Sequence, residues 1–151
     1  MIATREAVMS ALFTLLQSAT FAQPVNDNTT WATTSRRLKL WSDVPKSQRP
    51  ALFMIEPTET PSYADIIDLP PKFSMSVELF VYIDSSDMST IPATDLNVIM
   101  DAIIAVLAPN AGAQTLGGLV KYCRINGRVI KASGDLDGDG LMVIPLTILC
   151  P

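Results

Sequence analysis

The sequence contains no histidine, only two cysteines, and few charged residues for a chain of 151 residues. Without histidine it lacks the commonest general base and the commonest metal ligand, so neither a Ser-His-Asp nor a Cys-His arrangement can form. Cys123 and Cys150 each lie in an apolar, strand-like segment, where a free, buried thiol is the usual state. A disulfide between them would require their two strands to pair.

Nucleotide-binding motifs are missing too. The stretch "TLGG" has no GK[ST] ending and the chain has no GxGxxG, so neither phosphate-binding motif is present. The glycines of "TLGG" predict a close turn before a strand. Trp31 and Trp41 are expected to be core or interface anchors. We therefore expect a protein that is not an enzyme and uses no cofactor.

The overall composition points to assembly with partners. Hydrophobic residues make up 48% of the chain and charged residues 17%, which is slightly apolar for a soluble monomer and indicates surface covered by partner subunits. The net charge of −4 gives no sign of a basic surface that would bind nucleic acid. The length fits one domain over residues 1–151. No apolar run approaches the ~20 residues that span a bilayer, so we expect no membrane partner.

The first stretch, "MIATREAVMSALFTLLQSATFAQP", has two interpretations. An arginine, an apolar run and small residues near Ala22 resemble a secretory signal. Against this, Glu6 lies in what should be a positive region, and the apolar residues recur at helical spacing. We therefore favour an amphipathic helix packed on a core. Its apolar face is formed by Met9, Leu12, Phe13 and Leu16.

The middle of the chain predicts strands. "RLKLWSDV" alternates, with Leu38 and Leu40 on one side, and "ALFMIEP" is a short apolar run ended by Pro57. "KFSMSVELFVYID" shows the clearest alternation. Its predicted buried face is formed by Phe73, Met75, Val77, Leu79, Val81 and Ile83.

Between these strands lies "TETPSYADIIDLPP", residues 58–71, which has prolines, acids and scattered apolar residues without a clear period. It predicts a long loop, over about residues 56–72. Loops of this length in a compact domain are usually functional or become ordered by a partner. We expect Tyr63, Ile66 and Ile67 on this loop to contact a neighbouring subunit or another protein.

The second half predicts a helix followed by strands. Thr94 or Asp95 is expected to cap "LNVIMDAIIAVLAP", whose buried stripe comprises Leu96, Ile99, Met100, Ile103 and Leu107. "NG" at residues 126–127 is typical of either a two-residue hairpin or a bulge. The length of the last strand, "LMVIPLTIL", favours one long partner strand bent at "NG". Pro145 restricts its position to an edge or a bulge. The order of elements predicts an α+β fold, a mostly antiparallel β-sheet with two α-helices packed on one face.

The stretch "SGDLDGDGLMV" begins like a calcium-binding loop. Asp135, Asp137 and Asp139 followed by glycine match the first half of an EF-hand loop. The glutamate required at its last position is replaced by Leu146, and strands flank the stretch where helices are needed. We therefore favour an acidic β-turn. The alternative, in which the three carboxylates bind a divalent ion weakly at the surface, remains open.

Five stretches follow one another in order: "LWSDVPKSQRPALFMIE", "DLPPKFSMSVELFVYID", "LNVIMDAIIAVLAP", "QTLGGLVKYCRINGRV" and "VIPLTILCP". Together they resemble the small tail-terminator or tail-completion proteins (minor tail proteins) of tailed bacteriophages. The resemblance spans nearly the whole chain, and the order and spacing carry it more than any single motif.

This resemblance implies a ring-forming protomer, typically hexameric, at the head-proximal end of the tail tube. The implied partners are other copies of the chain, the tail tube protein and a head-completion or connector protein. DNA passes through the lumen without sequence-specific binding. The implied location is the tail or neck of the virion, assembled in the host cytoplasm. The candidate interface residues are Trp41, Tyr63, Ile66, Ile67, Gln114, Thr115 and Leu116.

Two alternatives stay open at this point. The same resemblance fits a head-closure or neck ring of the virion in place of the terminator of the tube. From a different class, a soluble calcium-binding module would use Asp135, Asp137 and Asp139.

Overall fold

The computed structural model describes residues 4–62, 72–108 and 113–150. Six strands form one sheet in the order β1-β2-β3-β6-β4, with β5 also paired to β6. Among the strands of the described residues, only the β1–β2 pair is parallel. This confirms the predicted α+β fold with a mostly antiparallel sheet. The elements are α1 (Arg5–Gln17), β1 (Thr33–Ser35), β2 (Ala51–Ser62), β3 (Lys72–Asp84), α2 (Pro92–Val106), β4 (Tyr122–Ile125), β5 (Ile130–Ala132) and β6 (Asp139–Cys150).

The centre of the sheet is the long antiparallel pair β3–β6, which runs from Phe73 opposite Cys150 to Asp84 opposite Asp139. Every second residue of β3 faces the core, and the predicted face from Phe73 to Ile83 is buried as expected. The matching face of β6 is equally apolar. At about 1.5–3 kcal/mol for each fully buried aliphatic side chain, this face is the main source of stability.

Both helices pack on this same face. Val8, Met9, Leu12 and Leu16 of α1 share one core with Leu96, Ile99 and Ile103 of α2. The prediction of an amphipathic first helix packed on the core is therefore confirmed, with Phe13 only partly buried. Trp31 packs against the same core and its indole N–H donates to the carbonyl of Leu16 at 3.0 Å. No helix in the described ranges is long and apolar enough to cross a membrane.

The opposite face of the sheet is only partly covered. A small second cluster, Val44, Ala51, Phe53 and Tyr82, fills one corner. The rest of β6 on this side stays half-exposed and is mostly apolar, although the outer face of an antiparallel sheet is commonly polar. Leu141 packs against the small cluster, and the other half-exposed residues of β6 are Val143, Pro145, Thr147 and Leu149.

Two strand predictions were wrong. Leu38 and Leu40 do not belong to a strand; both are exposed, and a short 3-10 turn (Trp41–Asp43) follows them. Strand β2 does not end at Pro57 but continues to Ser62 past a register shift between Ile55 and Thr58. The predicted loop over residues 56–72 is therefore partly strand.

The second helix begins earlier than predicted. Pro92 is its first residue and Ile91 precedes it without a side-chain cap, so neither Thr94 nor Asp95 caps this helix. Proline is favoured in the first turn because its missing N–H is not needed there. The Thr94 hydroxyl instead donates to the carbonyl of Ile91 at 2.6 Å. Of the predicted stripe, all but Met100 are buried.

The "NG" at residues 126–127 is a bulge and not a hairpin turn. Strands β4 and β5 pair in succession with β6, Ile125 opposite Leu146 and Ile130 opposite Val143. The four residues between them lie opposite two residues of β6, one of which is Pro145. This confirms the prediction of one partner strand bent at "NG". Pro145 lies opposite the bulge, as predicted, and its carbonyl accepts the N–H of Asn126 at 3.0 Å.

Candidate functional site

Four loops meet at the end of the sheet where Asp84 lies opposite Asp139, and we call this region the loop end. They comprise residues 24–28, 38–49, 85–91 and 133–138. Large apolar side chains stand exposed there on three of these loops. They are Leu38, Leu40, Trp41, Met88, Ile91 and Leu136.

Arg49 ties the loop of residues 38–49 to the ends of strands β3 and β6. Its side chain is only 3% exposed, which is unusual for a charged group. The guanidinium donates to the backbone carbonyls of Trp41 at 2.8 Å and Ile83 at 3.2 Å, and to a carboxylate oxygen of Asp139 at 2.6 Å. Further hydrogen bonds reach the carbonyl of Val44. This buried cation is therefore fully paired, as burial of a charge requires.

The hydrogen bonds of Arg49 also fix the backbone of Trp41, one of the candidate interface residues. Its side chain is 52% exposed while its carbonyl is fixed by Arg49. The hydroxyl of Tyr82 donates to the carbonyl of Lys39 at 2.7 Å and ties the same segment to the sheet. Burial raises the pKa of Tyr82, although the charge of Arg49 opposes this. Trp41 is thus an exposed aromatic side chain on an anchored backbone.

The acidic stretch forms a turn between β5 and β6, as predicted, but an i-to-i+4 hydrogen bond closes it, so it is wider than the predicted β-turn. Gly138 donates to the carbonyl of Gly134 at 2.9 Å, and Ser85 at the end of β3 donates to the carbonyls of Gly138 and Ser133. Gly134 has a φ of +79° and a Cβ there would lie 2.6 Å from the backbone of Asp139. Leu136 at the tip is fully exposed.

The three aspartates of this turn have separate partners. Asp135 accepts from the hydroxyl of Ser133, Asp137 accepts from the N–H of Asp139, and Asp139 accepts from Arg49. A calcium site instead gathers carboxylate oxygens around one point. In residues 4–62, 72–108 and 113–150, no group of three or more Asp, Glu, His or Cys side chains is placed to hold a metal ion.

A polar cleft of about 460 Å³ separates the loops of the loop end. Lys46 lies 3.7 Å from a carboxylate oxygen of Asp84 across it. Burial raises the pKa of Asp84, but hydrogen bonds from Ser86 and the charges of Lys46 and Arg49 outweigh this, so its pKa lies below the usual value. Burial alone raises the pKa of Asp95 on the other wall. The side-chain amide of Asn26 donates to the carbonyl of Asp84 at 2.7 Å and accepts from its N–H at 2.9 Å.

The predicted interface residues of "QTLGG" lie in a turn before β4, where Gln114 and Thr115 are half-exposed. Gln114 accepts from the N–H of Leu116 at 3.0 Å, and Thr115 accepts from the N–H of Gly118, so both close a turn within their own chain. The side chain of Leu116 is buried in the core. The prediction of Leu116 as an interface residue is therefore corrected: its side chain is covered by the core and cannot contact a partner. Tyr63, Ile66 and Ile67 lie outside the described residues.

A second apolar surface lies at the opposite part of the sheet, beside β4. It is a groove of about 250 Å³ lined by Ile104, Leu107, Ala108, Arg124 and Ile125. The guanidinium of Arg124 lies 4.3 Å from the centre of the Tyr122 ring, a cation–π contact that holds it at the rim. Ile104 is 49% exposed although its neighbour Ile103 is fully buried.

Sequence reasoning identified Trp41 and the acidic turn but missed Arg49 and the groove. Arg49 carries no local pattern, because its partners are up to 90 positions away in the chain. The groove had a weak signal: Ile104 lies outside the predicted buried stripe of its helix. An apolar residue on the outer face of a helix indicates a contact surface.

Models of known protein families and a search of curated proteins gave no match for the chain.

Proposed function

We propose that this chain is a structural subunit of a tailed-bacteriophage virion that assembles into a ring, typically a hexamer, at the head-proximal end of the tail tube. The ring ends polymerisation of the tube and presents the surface on which the head docks. Its lumen lets DNA pass without sequence-specific contacts.

The observation that carries the proposal is the loop end. Large apolar side chains there, including Trp41 and Leu136, are exposed on loops that buried hydrogen bonds hold in place. Several large apolar side chains exposed at one end of a sheet indicate a surface for a partner, and tryptophan is enriched among residues that dominate binding energy. Fixed loops lose little entropy on docking, which favours association.

Two further features support an assembling subunit. The outer face of β6 is mostly apolar and half-exposed, so it offers a second surface for a neighbour. The net charge of −4 suits a channel through which DNA slides, because phosphate contacts require lysine and arginine. The assignment to the phage tail itself rests on the ordered stretches that resemble tail terminators.

A deletion experiment tests the proposed function. Phage particles produced without this chain are expected to contain tails of abnormal length that do not join heads, and supplying the chain in trans should restore both properties. The neck-ring alternative predicts tails of normal length that fail to join. Normal, joined particles without the chain would contradict both assignments.

A further inference from the structure

The turn between β5 and β6 forms a knob. Leu136 at its tip is fully exposed and lies between Asp135 and Asp137. Hydrogen bonds within the turn, and from Ser85 at the end of β3, hold its backbone. The knob therefore presents one aliphatic side chain flanked by two negative charges on a fixed support.

The groove beside β4 has the complementary character. Its lining is almost entirely apolar, from Ile104, Leu107, Ala108 and Ile125, and Arg124 contributes a positive charge at the rim. Arg128 and Lys131 continue the positive charge along the same edge of the sheet and are exposed. A groove of about 250 Å³ is large enough to accept one leucine side chain.

The knob and the groove of one chain cannot meet. Asp139, where the knob joins β6, and Leu146, which pairs with Ile125 at the groove, are separated by seven positions of one strand. This places them roughly 23 Å apart at about 3.3 Å per residue. The two surfaces can therefore contact each other only between different copies of the chain.

We propose that Leu136 of one copy inserts into the groove of the next copy, with Asp135 and Asp137 facing Arg124. The occupant of the groove is thus a second copy of this chain, indicated by the opposite charges around two apolar surfaces. Because the knob and the groove are different patches, the contact is heterologous and repeats from copy to copy, as a ring requires. The inference rests on the proposed function, for which it supplies the contact between subunits.

A charge exchange tests the contact. The double variant Asp135→Arg/Asp137→Arg and the single variant Arg124→Glu each place like charges across it, and each should weaken assembly of the purified chain at least ten-fold. Combining all three substitutions restores opposite charges and should recover assembly, measured as mass in solution by light scattering. Wild-type assembly in either set of substitutions, or no recovery on combining them, would overturn the proposal.

Cross-linking tests the geometry directly. With Leu136→Cys and Ile104→Cys in one chain, oxidation should produce a ladder of covalent oligomers, because each copy links to two neighbours. The native cysteines Cys123 and Cys150 are buried and do not interfere. A matched control with Leu136→Cys and Thr60→Cys should stay monomeric on a non-reducing gel, since Thr60 is exposed on the far strand β2.

The outcomes separate this contact from the proposed function. No ladder, or an equal ladder in the control, overturns the knob-and-groove contact whatever the wild-type mass is. The tail length of particles with and without the chain reports on the proposed function independently. Normal tail termination by a chain that forms no such ladder would leave the function standing and remove this contact.

Discussion

Arg49 and Asp139 form an ion pair with an N–O distance of 2.6 Å, although 90 positions separate them in the chain. The pair joins the loop that carries Trp41 to the first residue of β6, and thus to the acidic turn. Replacing both partners should change the free energy of unfolding little. Replacing one partner should lower it strongly, because the other charge is then unpaired in a buried site. The pair is therefore the contact that fixes the arrangement of the loop end.

Replacing Arg49 should destabilise the fold severely. In Arg49→Met the carboxylate of Asp139 and the carbonyls of Trp41, Val44 and Ile83 lose their donor, with an expected loss of about 3–5 kcal/mol. For a domain of this size, this corresponds to a fall in Tm on the order of 10 °C. Asp139→Asn keeps an accepting oxygen but leaves the buried Arg49 charge without its counter-ion, so it should still lose about 3 kcal/mol.

The exposed Arg37→Met is the matched control, expected within about 0.5 kcal/mol of the wild type. Thermal unfolding followed by circular dichroism gives all three values. Equal melting of Arg49→Met and Arg37→Met would show that the buried pair does not hold the loop end.

Lowering the pH should destabilise the loop end, because Asp84 becomes protonated. Because its folded pKa is lowered, its stabilising contribution is complete above the unfolded value of about 3.9 and is lost as the pH falls through the folded pKa. Asp84→Asn should cost about 1 kcal/mol at pH 7 and reduce the loss of Tm between about pH 5 and pH 2.

Asp95 lines the same cleft and provides a control, because its pKa is shifted in the opposite direction to that of Asp84. Its pKa is raised by burial, so its charged form carries a penalty at neutral pH that protonation relieves. Asp95→Asn should leave Tm at pH 7 equal or higher and make the fall on acidification steeper. Melting curves from pH 2 to pH 7 compare the two variants, and identical pH profiles would contradict the assigned environments.

The acidic turn should tolerate alanine poorly at Gly134. Gly134 and Gly118 both have positive φ, at +79° and +92°, but only a Cβ at Gly134 would meet backbone atoms, at 2.6 Å from Asp139. Gly118→Ala should cost about 1 kcal/mol for the backbone conformation alone. Gly134→Ala should cost more, by about 1–3 kcal/mol of added steric strain. Chemical denaturation gives both free energies of unfolding, and equal costs would contradict this geometry.

Cys123 should be chemically inert in the folded chain. Burial, and to a smaller degree the neighbouring Cys150, raises the pKa of its thiol to about 12. At pH 8 only about one thiol in ten thousand is then ionised, and the thiolate is the reactive form. Iodoacetamide followed by mass spectrometry should label Cys123 only after denaturation. Rapid labelling under native conditions would show that this site opens to solvent.

Where a sequence pattern reflects burial, it predicted the structure well. The strict alternation in β3 could only be satisfied with Phe73 to Ile83 on the core side, and the structure has this arrangement. The glycines of the acidic turn and of "NG" also predicted a turn and a bulge at the right positions, because glycine is favoured where the backbone has a positive φ.

The failures have a common cause in contacts that the local sequence does not record. Leu38 and Leu40 alternate like a strand, but a strand needs a partner and this segment is one of the loops of the loop end, where both side chains are exposed. Pro57 does not end β2, because it lies within the register shift between Ile55 and Thr58, where it has no paired residue on β3. Arg49 also depends on partners distant in sequence, Ile83 and Asp139, which no local pattern records.

Electron microscopy of virions with a labelled copy of this chain tests the central claim most directly. The account predicts a single ring-shaped layer of label at the head-proximal end of the tail tube, present in joined particles and on completed free tails. Label in the neck but absent from free tails would favour the head-closure alternative. Label along the whole tube, or no label on the particles, would contradict the proposed function.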